Sequence, residues 1–314
     1  MKVIVQIPCF NEEKTLPLVL RSIPKKIKGV DTVEVLIIDD GSTDQTIEVA
    51  KKHGVDHIVR HTRNMGLARS FRDGVDKALE LGADIVVNTD GDNQYPQERI
   101  GDIVQPIIDG EAEIVIADRQ TQKIAHFSPL KKLLQRFGSF IVNKAAGTDL
   151  PDAASGFRAY SKYSLIRLNI VTKFSYCMET IIQAGNKNLA ITSIPVETNP
   201  KLRESRLFKN TGQHVMQSGM AIMRSYIMFK PFSIFATLGT FLFLIGLIPF
   251  IRYAVLSILD DSGSHLQSLM IGVVFIISSI LAFALGVLAD LLRTNRILLE
   301  ESLERAKYET YTKK

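Results

Sequence analysis

Apolar and polar positions follow two alternating rhythms over the first 120 residues. Short β-branched and aliphatic runs, typical of strands, occur at residues 2–8, 33–38, 57–60, 85–88 and 114–117. Helical periodicity lies between them, near residues 13–27, 43–53, 66–81 and 97–109. Continuous apolar strands that alternate with helices are typical of a sheet covered on both faces. The pattern predicts an α/β sandwich with a mostly parallel central sheet, and a final strand near residues 189–196.

Two later segments, residues 232–251 and 267–289, contain no Asp, Glu, Lys or Arg. A helix needs about 20 apolar residues to cross the hydrocarbon core of a bilayer, so both segments predict transmembrane helices. A pair of buried core helices is the alternative. Residues 129–146 have an amphipathic pattern in which cations lie among Leu, Phe, Ile and Val. That pattern fits a helix at the membrane interface or an ordinary surface helix.

The flanking charges predict how the two spans are oriented. Arg224 and Lys230 precede the first span and six Lys or Arg residues follow the second, whereas the connecting loop carries Arg252 against Asp260 and Asp261. The positive-inside rule then puts both termini in the cytoplasm. We therefore expect a multi-pass protein of the cell membrane.

Composition narrows the class of protein further. The 314 residues are 46% hydrophobic and 23% charged, a balance that excludes disordered and low-complexity proteins. The net charge is +5, and its concentration near the membrane segments favours anionic lipid over nucleic acid as a partner. The sequence contains no nucleic-acid-binding motif. Cys9 and Cys177 are too few for a disulfide framework or a metal cluster.

A polar cluster follows each of the five apolar runs. In chain order the clusters read CFNEE, DDGSTD, TRNMG, TDGDNQ and DRQ. Ligands of open parallel sheets bind beside the carboxyl ends of the strands, which lie at one edge. The five clusters therefore predict one binding site. Glycine patterns for a P-loop or a dinucleotide are absent, so phosphoryl transfer and hydride transfer have no support.

The cluster after the fourth run carries the most specific local pattern. Asp90 and Asp92 are one residue apart at a strand end, where two carboxylates can hold Mg²⁺ or Mn²⁺ against a diphosphate. An Asp-Gly turn without a ligand is the structural alternative. In the second cluster, Asp39 at the strand tip can accept from a nucleotide base or ribose, while Thr43 and Asp44 suit the start of the next helix.

Taken together, the motifs resemble inverting glycosyltransferases of family 2, of the polyprenyl-phosphate (dolichol-phosphate mannose synthase-like) branch. The resemblance rests on motifs in a fixed order, IPCFNEE, IIDDGSTD, RNMG, TDGDNQYP, ADR and DAASGFRAYSK, followed by a basic loop and C-terminal membrane helices. It implies a nucleotide-sugar-binding fold of the GT-A type, a divalent metal (Mg²⁺ or Mn²⁺) and a polyprenyl phosphate as acceptor.

The resemblance also implies an organisation and a set of roles. Residues 1–209 are expected to form a cytoplasmic glycosyltransferase domain, and residues 210–231 an amphipathic juxtamembrane segment. The two spans are expected at residues 232–251 and 267–289, followed by a cytoplasmic tail at residues 290–314. The nucleotide sugar is expected to contact Pro8, Phe10, Glu12, Asp39, Asp90, Gly91, Asp92 and Arg119. Among these, the catalytic residues are expected to be Asp90, Asp92 and Arg119. The metal is expected at Asp92 and Gln94, and the lipid phosphate at Lys132, Arg136, Lys201 and Arg206.

The resemblance leaves several alternatives open. A family 2 enzyme acting on another glycolipid or on polysaccharide, and an inactive membrane scaffold, are the other functions. Gly91 stands where many mannose synthases carry Ala, which favours a UDP-linked sugar over GDP-mannose. A small two-helix anchor would also gain buried area in a homo-oligomer.

Overall fold

The computed structural model describes residues 1–122, 129–171, 176–200, 220, 223, 227–259 and 266–312. The chain divides into two compact units, one of Met1–Ser225 with Leu303–Lys314 and one of Tyr226–Ser302. The first unit contains the sheet. The second contains the two apolar helices.

A seven-stranded sheet forms the centre of the first unit. Its strands are β1 (Lys2–Cys9), β2 (Thr32–Asp39), β3 (His57–Arg60), β4 (Ile85–Asn88), β5 (Ile114–Asp118), β6 (Arg158–Ser161) and β7 (Ile191–Pro195). They lie in the order β3-β2-β1-β4-β6-β5-β7. All neighbours are parallel except β6, which runs antiparallel to both β4 and β5. This arrangement confirms the predicted α/β class with a mostly parallel sheet.

Strand β6 was not among the predicted strands. It has four residues, RAYS, and begins with the charged Arg158, so its sequence lacks the apolar run expected of a central strand. The Arg158 side chain is nonetheless fully buried. Its guanidinium donates to the carbonyl oxygens of Ala153, Ser155 and Cys177, at 2.9, 2.7 and 2.8 Å. These hydrogen bonds replace the water that a buried cation loses, and they tie the loop before β6 to the helix that follows.

Helices cover both faces of the sheet. They are α1 (Leu16–Ser22), α2 (Thr46–Lys52), α3 (Leu67–Glu80), α4 (Ile100–Ile108), α5 (Pro129–Ala146), α6 (Lys162–Arg167) and α7 (Tyr176–Asn186). Leu16 and Ile103, from α1 and α4, share one apolar cluster with Val3 and Val5 of β1. On the other face Gly74 of α3 packs so closely that an added methyl would lie 2.8 Å from the side chain of Ile38.

Two predicted helices are shorter than expected, for local reasons. Helix α1 ends at Ser22, two residues before Pro24, because a helix is disfavoured in front of proline. Helix α2 begins at Thr46 rather than near residue 43. Asp44 precedes the helix instead of lying in its first turn, and its Oδ1 accepts from the N–H of Thr46 at 3.0 Å. The N–H of Thr43 donates to Oδ1 of Asn11 at 2.8 Å.

The second unit contains α8 (Pro231–Ile258) and most of α9 (Leu266–Thr312), both long and apolar enough to cross a bilayer. Small residues lie where the two helices meet. A methyl group on Gly246 would lie 3.0 Å from the carbonyl oxygen of Gly272, and the hydroxyl of Ser279 donates to the carbonyl of Gly239 at 2.7 Å. Such close backbone approach is how helices pack in lipid.

The last turns of α9 belong to the first unit. Glu304 pairs with Arg167 at 3.0 Å, and Nζ of Lys307 donates to Oδ1 of Asn169 at 3.0 Å. Nζ of Lys162 donates to the carbonyl of Tyr311 at 2.7 Å. Burial of the Lys307 ammonium lowers its pKa. The C-terminal end of the chain is therefore part of the structure around α6, although the sequence pattern predicted only a tail there.

Candidate active site

Three polar turns meet at the carboxyl edge of the sheet. They follow β1, β2 and β4, which are adjacent and parallel. The N–H of Asp40 donates to the carbonyl of Cys9 at 2.8 Å, which joins the first two turns. A methyl group on Gly91 would lie 3.2 Å from both Sγ of Cys9 and Cγ of Glu12, which brings the third turn against the first. An Ala at position 91 would have to push one of these side chains aside.

Side-chain hydrogen bonds lock the turn after β1 to the turn after β2. The N–H of Asn11 donates to Oγ of Ser42 at 2.9 Å, and the N–H of Glu12 donates to Oγ1 of Thr46 at 2.8 Å. The carboxylate of Glu12 is buried and accepts from the hydroxyl of Thr15 at 2.7 Å. Pro8, in β1, and Phe10, in the turn, are both half-buried at this edge.

Asp39 ends β2 with a buried carboxylate, 0% exposed. Its Oδ1 accepts from the N–H of Ser42 at 3.1 Å. Within the described part of the chain its Oδ2 has no hydrogen-bond partner, and Nε of the exposed Arg60 lies 3.4 Å away. This oxygen thus has an ion-pair partner but accepts no hydrogen bond from the described residues, so it suits a ligand that brings an N–H or O–H.

The two predicted metal ligands lie side by side after β4. Nε2 of Gln94 lies 2.6 Å from Oδ2 of Asp92, and the N–H of Gln94 donates to Oδ1 of the same carboxylate at 3.1 Å. Among the residues that the structure describes, no group of three or more His, Cys, Asp or Glu could hold a metal alone. Mg²⁺ commonly uses one or two carboxylates together with substrate phosphates. The oxygens of this pair therefore fit a hard cation that binds with a diphosphate.

Asp90 faces the loop in front of β6. A methyl group on Gly156 would lie 3.3 Å from Oδ2 of Asp90, so only a glycine lets the carboxylate come this close without a shift. The N–H of Gly156 donates to the hydroxyl oxygen of Tyr95 at 2.9 Å, and its carbonyl accepts from Nδ2 of Asn88 at 3.0 Å. Burial raises the pKa of Tyr95, which keeps the phenol neutral. The backbone of Gly156, which lies against Asp90, is thus held by hydrogen bonds at both its N–H and its carbonyl.

Arg119, just after β5, is held by a carboxylate that the sequence did not single out. Its Nε and Nη2 donate to Oδ2 and Oδ1 of Asp152 at 2.6 and 2.9 Å, a two-pronged pair. Burial alone would raise the pKa of Asp152, but the positive charge and hydrogen bonds of Arg119 outweigh it and the pKa is lowered. Both side chains are therefore ionised, and the position of the guanidinium is fixed.

Helix α5 has a different character, because one of its faces exposes large apolar side chains to solvent. Leu133, Phe137 and Phe140 are 65%, 58% and 60% exposed, and their spacing puts them on one face. Lys132 and Arg136 lie on the same stretch of helix, and Nζ of Lys132 donates to the carbonyl of Gln122 at 2.7 Å. The other two predicted lipid-phosphate residues, Lys201 and Arg206, lie outside the described residues.

Sequence reasoning did not find three side chains that shape this site: His61, Asp152 and Arg158. His61 contacts Asp40 and Asp73, at 2.7 and 3.1 Å. Each of the three has at least one partner from an element distant in sequence, which no local pattern could reveal. The motif DAASGFRAYSK contained two of the three, but without a role for either.

Comparison with known proteins gives a consistent picture. A family model described as "Glycosyl transferase family 2" matches residues 4–168. The chain is 30% identical over 213 residues to the UDP-N-acetylglucosamine–dolichyl-phosphate N-acetylglucosaminyltransferase of Methanococcus voltae, covering 61% of this chain and 83% of that one. It is 27% identical over 176 residues to the undecaprenyl-phosphate mannosyltransferase of Micrococcus luteus, covering 54% and 70%.

Solved structures share the fold. The glucosyl-3-phosphoglycerate synthase of Mycobacterium tuberculosis, in complex with Mn²⁺, UDP-glucose and phosphoglyceric acid, superimposes with a TM-score of 0.56 at 20% identity. The match covers 72% of this chain and 78% of that one. The same enzyme in complex with Mg²⁺ and UDP gives a TM-score of 0.55 at 20% identity, covering 70% and 79%. At this level of identity the likeness is one of fold, and it confirms the GT-A type.

Proposed function

The chain belongs to glycosyltransferase family 2, and from that premise we propose that it transfers a sugar from a UDP- or GDP-linked donor to a polyprenyl phosphate, undecaprenyl or dolichyl. The transfer is metal-dependent, inverts the anomeric configuration and takes place at the cytoplasmic face of the membrane. Curated relatives named for transfer to dolichyl and undecaprenyl phosphate support this choice of acceptor.

The observation that carries the proposal is the carboxyl edge of the sheet. Asp39 ends β2, and its buried Oδ2 accepts no hydrogen bond from the described residues. The turn after β2 lies beside the turn that holds Glu12, and the turn with Asp90 and Asp92 packs against the Glu12 turn. A nucleoside needs a recessed acceptor, and a diphosphate needs a metal held by carboxylates. Side chains suited to both requirements follow β2 and β4, on either side of β1, and this placement supports the proposal. Pro8 and Phe10 add an apolar border, which suits the flat face of a base.

The proposed metal is Mg²⁺ or Mn²⁺, held by Asp92 and Gln94 with Asp90 beside them. When bound, such an ion neutralises charge that develops on a departing diphosphate. The protein itself contributes a fixed carboxylate and a fixed amide, because the hydrogen bond between Asp92 and Gln94 orients both side chains. Arg119, held by Asp152, adds a cation whose position does not depend on the ligand.

The proposed acceptor does not require a strong general base from the protein. A polyprenyl phosphate is anionic at neutral pH, so no strong general base is needed to make it a nucleophile. Its approach to an anionic donor is opposed by repulsion, which cations can offset. We assign this role to Lys132 and Arg136 on α5, together with Lys201 and Arg206. Attack on the anomeric carbon from the side opposite the diphosphate inverts its configuration.

The membrane supplies the acceptor. Helices α8 and α9 are proposed to span the bilayer, with both termini and the first unit in the cytoplasm as the flanking charges predict. The exposed apolar face of α5 is proposed to lie in the interfacial layer, where lipid headgroups are found. An amphipathic helix beside its own cations suits a phosphate that stays at the membrane surface.

A transfer assay tests the proposal. Membranes that contain the full chain are incubated with labelled UDP and GDP sugars, polyprenyl phosphate and Mg²⁺ or Mn²⁺, and Asp92→Asn serves as the inactive control. We expect a chloroform-extractable, acid-labile labelled product from the wild type only. Labelled polymer, or a glycolipid stable to mild acid, would instead indicate a different family 2 acceptor. No labelled product with any donor would leave the inactive scaffold as the better interpretation.

A further inference from the structure

His61, directly after β3, lies between two carboxylates from different elements. Nδ1 lies 2.7 Å from Oδ1 of Asp40, in the turn after β2, and Nε2 lies 3.1 Å from Oδ2 of Asp73, on α3. The ring is mostly buried, with 10% of the side chain exposed. A carboxylate can only accept, so the imidazole donates to both when both its nitrogens carry a proton. The ring thus bridges the second polar turn and α3.

The inner carboxylate, Asp40, also holds the far end of the loop that His61 begins. Its Oδ1 accepts from the N–H of Met65 at 2.8 Å, and its Oδ2 accepts from the N–H of Gly66 at 2.9 Å. The loop 61–66 is therefore tied to Asp40 at both ends, by a ring at one and by two amides at the other. Because the ring and an amide share Oδ1, rotation of the carboxylate would disturb both ends.

The same loop rests on the turn that carries Asp39. Gly41 has a φ of +75°, and a methyl group there would lie 2.6 Å from the carbonyl carbon of Arg63. The N–H of His61 donates to the carbonyl of Asp39 at 2.8 Å. Loop and turn are thus in direct backbone contact, so a displaced loop would change the surroundings of the open Asp39 oxygen.

Asp73, the second carboxylate that contacts the His61 ring, is held by arginines of α3. Oδ2 of Asp73 accepts from Nε of Arg69 at 2.7 Å, and Nε of Arg72 lies 3.8 Å from its Oδ1. Asp73 therefore gives the His61 ring a stationary support. The chain of contacts runs from α3 through the ring to Asp40 and the loop amides.

We propose that His61 is a positioning residue for the donor: its ring holds Asp40 so that loop 61–66 is set against the Asp39 turn before the nucleotide binds. The proposal rests on the proposed function, because the bound molecule is taken to be the nucleotide part of a sugar donor. His61 itself does not contact the reacting atoms. Its contribution is to lower the ordering cost that binding would otherwise incur.

Two substitutions of His61 separate its contacts. Asn places its amide nitrogen near the position of Nδ1 and can still donate to Asp40, whereas Gln reaches the position of Nε2 and can donate only toward Asp73. His57→Gln is the matched control, because His57 begins β3, the strand that leads to His61, and contacts Glu34 at 2.8 Å, away from the loop. The full-length variants are measured in detergent micelles by titration with UDP and with GDP in the presence of Mg²⁺.

We expect His61→Gln to weaken nucleotide binding about tenfold and to raise the KM for the donor equally, with kcat and the acceptor KM nearly unchanged. Amide exchange at Met65 and Gly66 should accelerate in the same variant. His61→Asn should retain most of the binding and protection, and His57→Gln all of it. A purely structural role would instead lower kcat and thermal stability without a change specific to the donor.

Two results would overturn the proposal. One is a His61→Gln protein that binds nucleotide like the wild type and whose Met65 and Gly66 amides exchange no faster than in the wild type. The other is a loss in His61→Asn as large as in His61→Gln, because the contact with Asp40 would then not matter. A wild type that binds neither UDP nor GDP contradicts the proposed function as well, whereas normal wild-type binding with an indifferent His61→Gln contradicts only the role of His61.

Discussion

The carboxyl edge of the sheet and helix α5 present their candidate functional side chains in opposite ways. Asp39, Asp40 and Glu12 are 0%, 5% and 5% exposed, and each carboxylate accepts a hydrogen bond, from Ser42, Met65 and Thr15 in that order. Leu133 and Phe137 on α5 are 65% and 58% exposed. The side chains of the carboxyl edge are held in place before any ligand binds. Helix α5 instead presents an exposed apolar surface.

The difference matches where the two proposed substrates come from. A nucleotide sugar arrives from water, where its hydrogen-bonding groups are already satisfied, so the protein must offer preset partners to bind it. A polyprenyl phosphate is confined to the bilayer, which raises its effective concentration near any helix at the interface. The acceptor side therefore needs charge and apolar contact more than exact geometry. Single substitutions should accordingly cost more at the edge than on α5.

The sharpest test of the edge is Asp92→Asn. Removing one charge from the proposed metal site should lower kcat about a thousandfold while the protein stays folded, because Asp92 lies in a partly exposed turn. Turnover at fixed donor, measured across Mg²⁺ and Mn²⁺ concentrations, gives the result. Near-normal turnover in excess chelator, in the wild type or the variant, would show that Asp92 holds no essential metal.

Gly41→Ala tests whether the edge depends on close backbone packing. The added methyl would lie 2.6 Å from the Arg63 carbonyl carbon, at a φ of +75° that L side chains rarely adopt. The loop must shift, and a displacement of about 1 Å can cost a hundredfold in kcat/KM. Gly54→Ala is the control, since its φ is +68° but nothing lies within 4 Å of the added methyl. Equal losses in the two variants would point to backbone strain alone.

Two strands of the sheet have the bounds predicted for them. Strand β4 is buried throughout, and a strand covered on both faces is a continuous apolar run. Strand β3, at the edge of the sheet, has its predicted bounds although none of its four residues is buried. The strands of the sheet end in polar turns, so the gathering of the turns after β1, β2 and β4 at one edge followed from their parallel order. Helix α5 also has its predicted bounds, 129–146, since one apolar stripe fixes its period.

Contacts between elements distant in sequence could not be predicted. Asp152 lies 33 residues from Arg119, and Cys177 lies 19 residues from Arg158. The ring of His61 has an ordinary polar neighbourhood in sequence, and only the fold brings α3 to its Nε2. The sequence therefore predicts which turns bring polar side chains to this edge of the sheet. It does not identify the side chains that hold those turns in place.

On the acceptor side, Lys132→Ala and Arg136→Ala should each raise the KM for polyprenyl phosphate about tenfold, the cost of one charged contact with a phosphate. The donor KM should change little. Lys144→Ala removes the same charge from the last turn of α5, about 18 Å along the helix from Lys132 and about 12 Å from Arg136, and should leave both KM values unchanged. Equal changes in the two KM values would move Lys132 or Arg136 to the donor side of the reaction.

The smallest expected effect concerns the apolar face of α5, and it tests the comparison most directly. Leu133→Ser should lower kcat/KM for a long-chain polyprenyl phosphate in vesicles about threefold, because part of one apolar side chain leaves the interface. A short, water-soluble isoprenyl phosphate should be used as before, since it needs no interface. Leu18→Ser on α1 is the matched control, because Leu18 is also exposed, at 43%. If Leu133→Ser instead lowered the rate with both acceptors equally, α5 would contribute geometry as the edge does, and the contrast between a preset donor site and a surface for lipid would not hold.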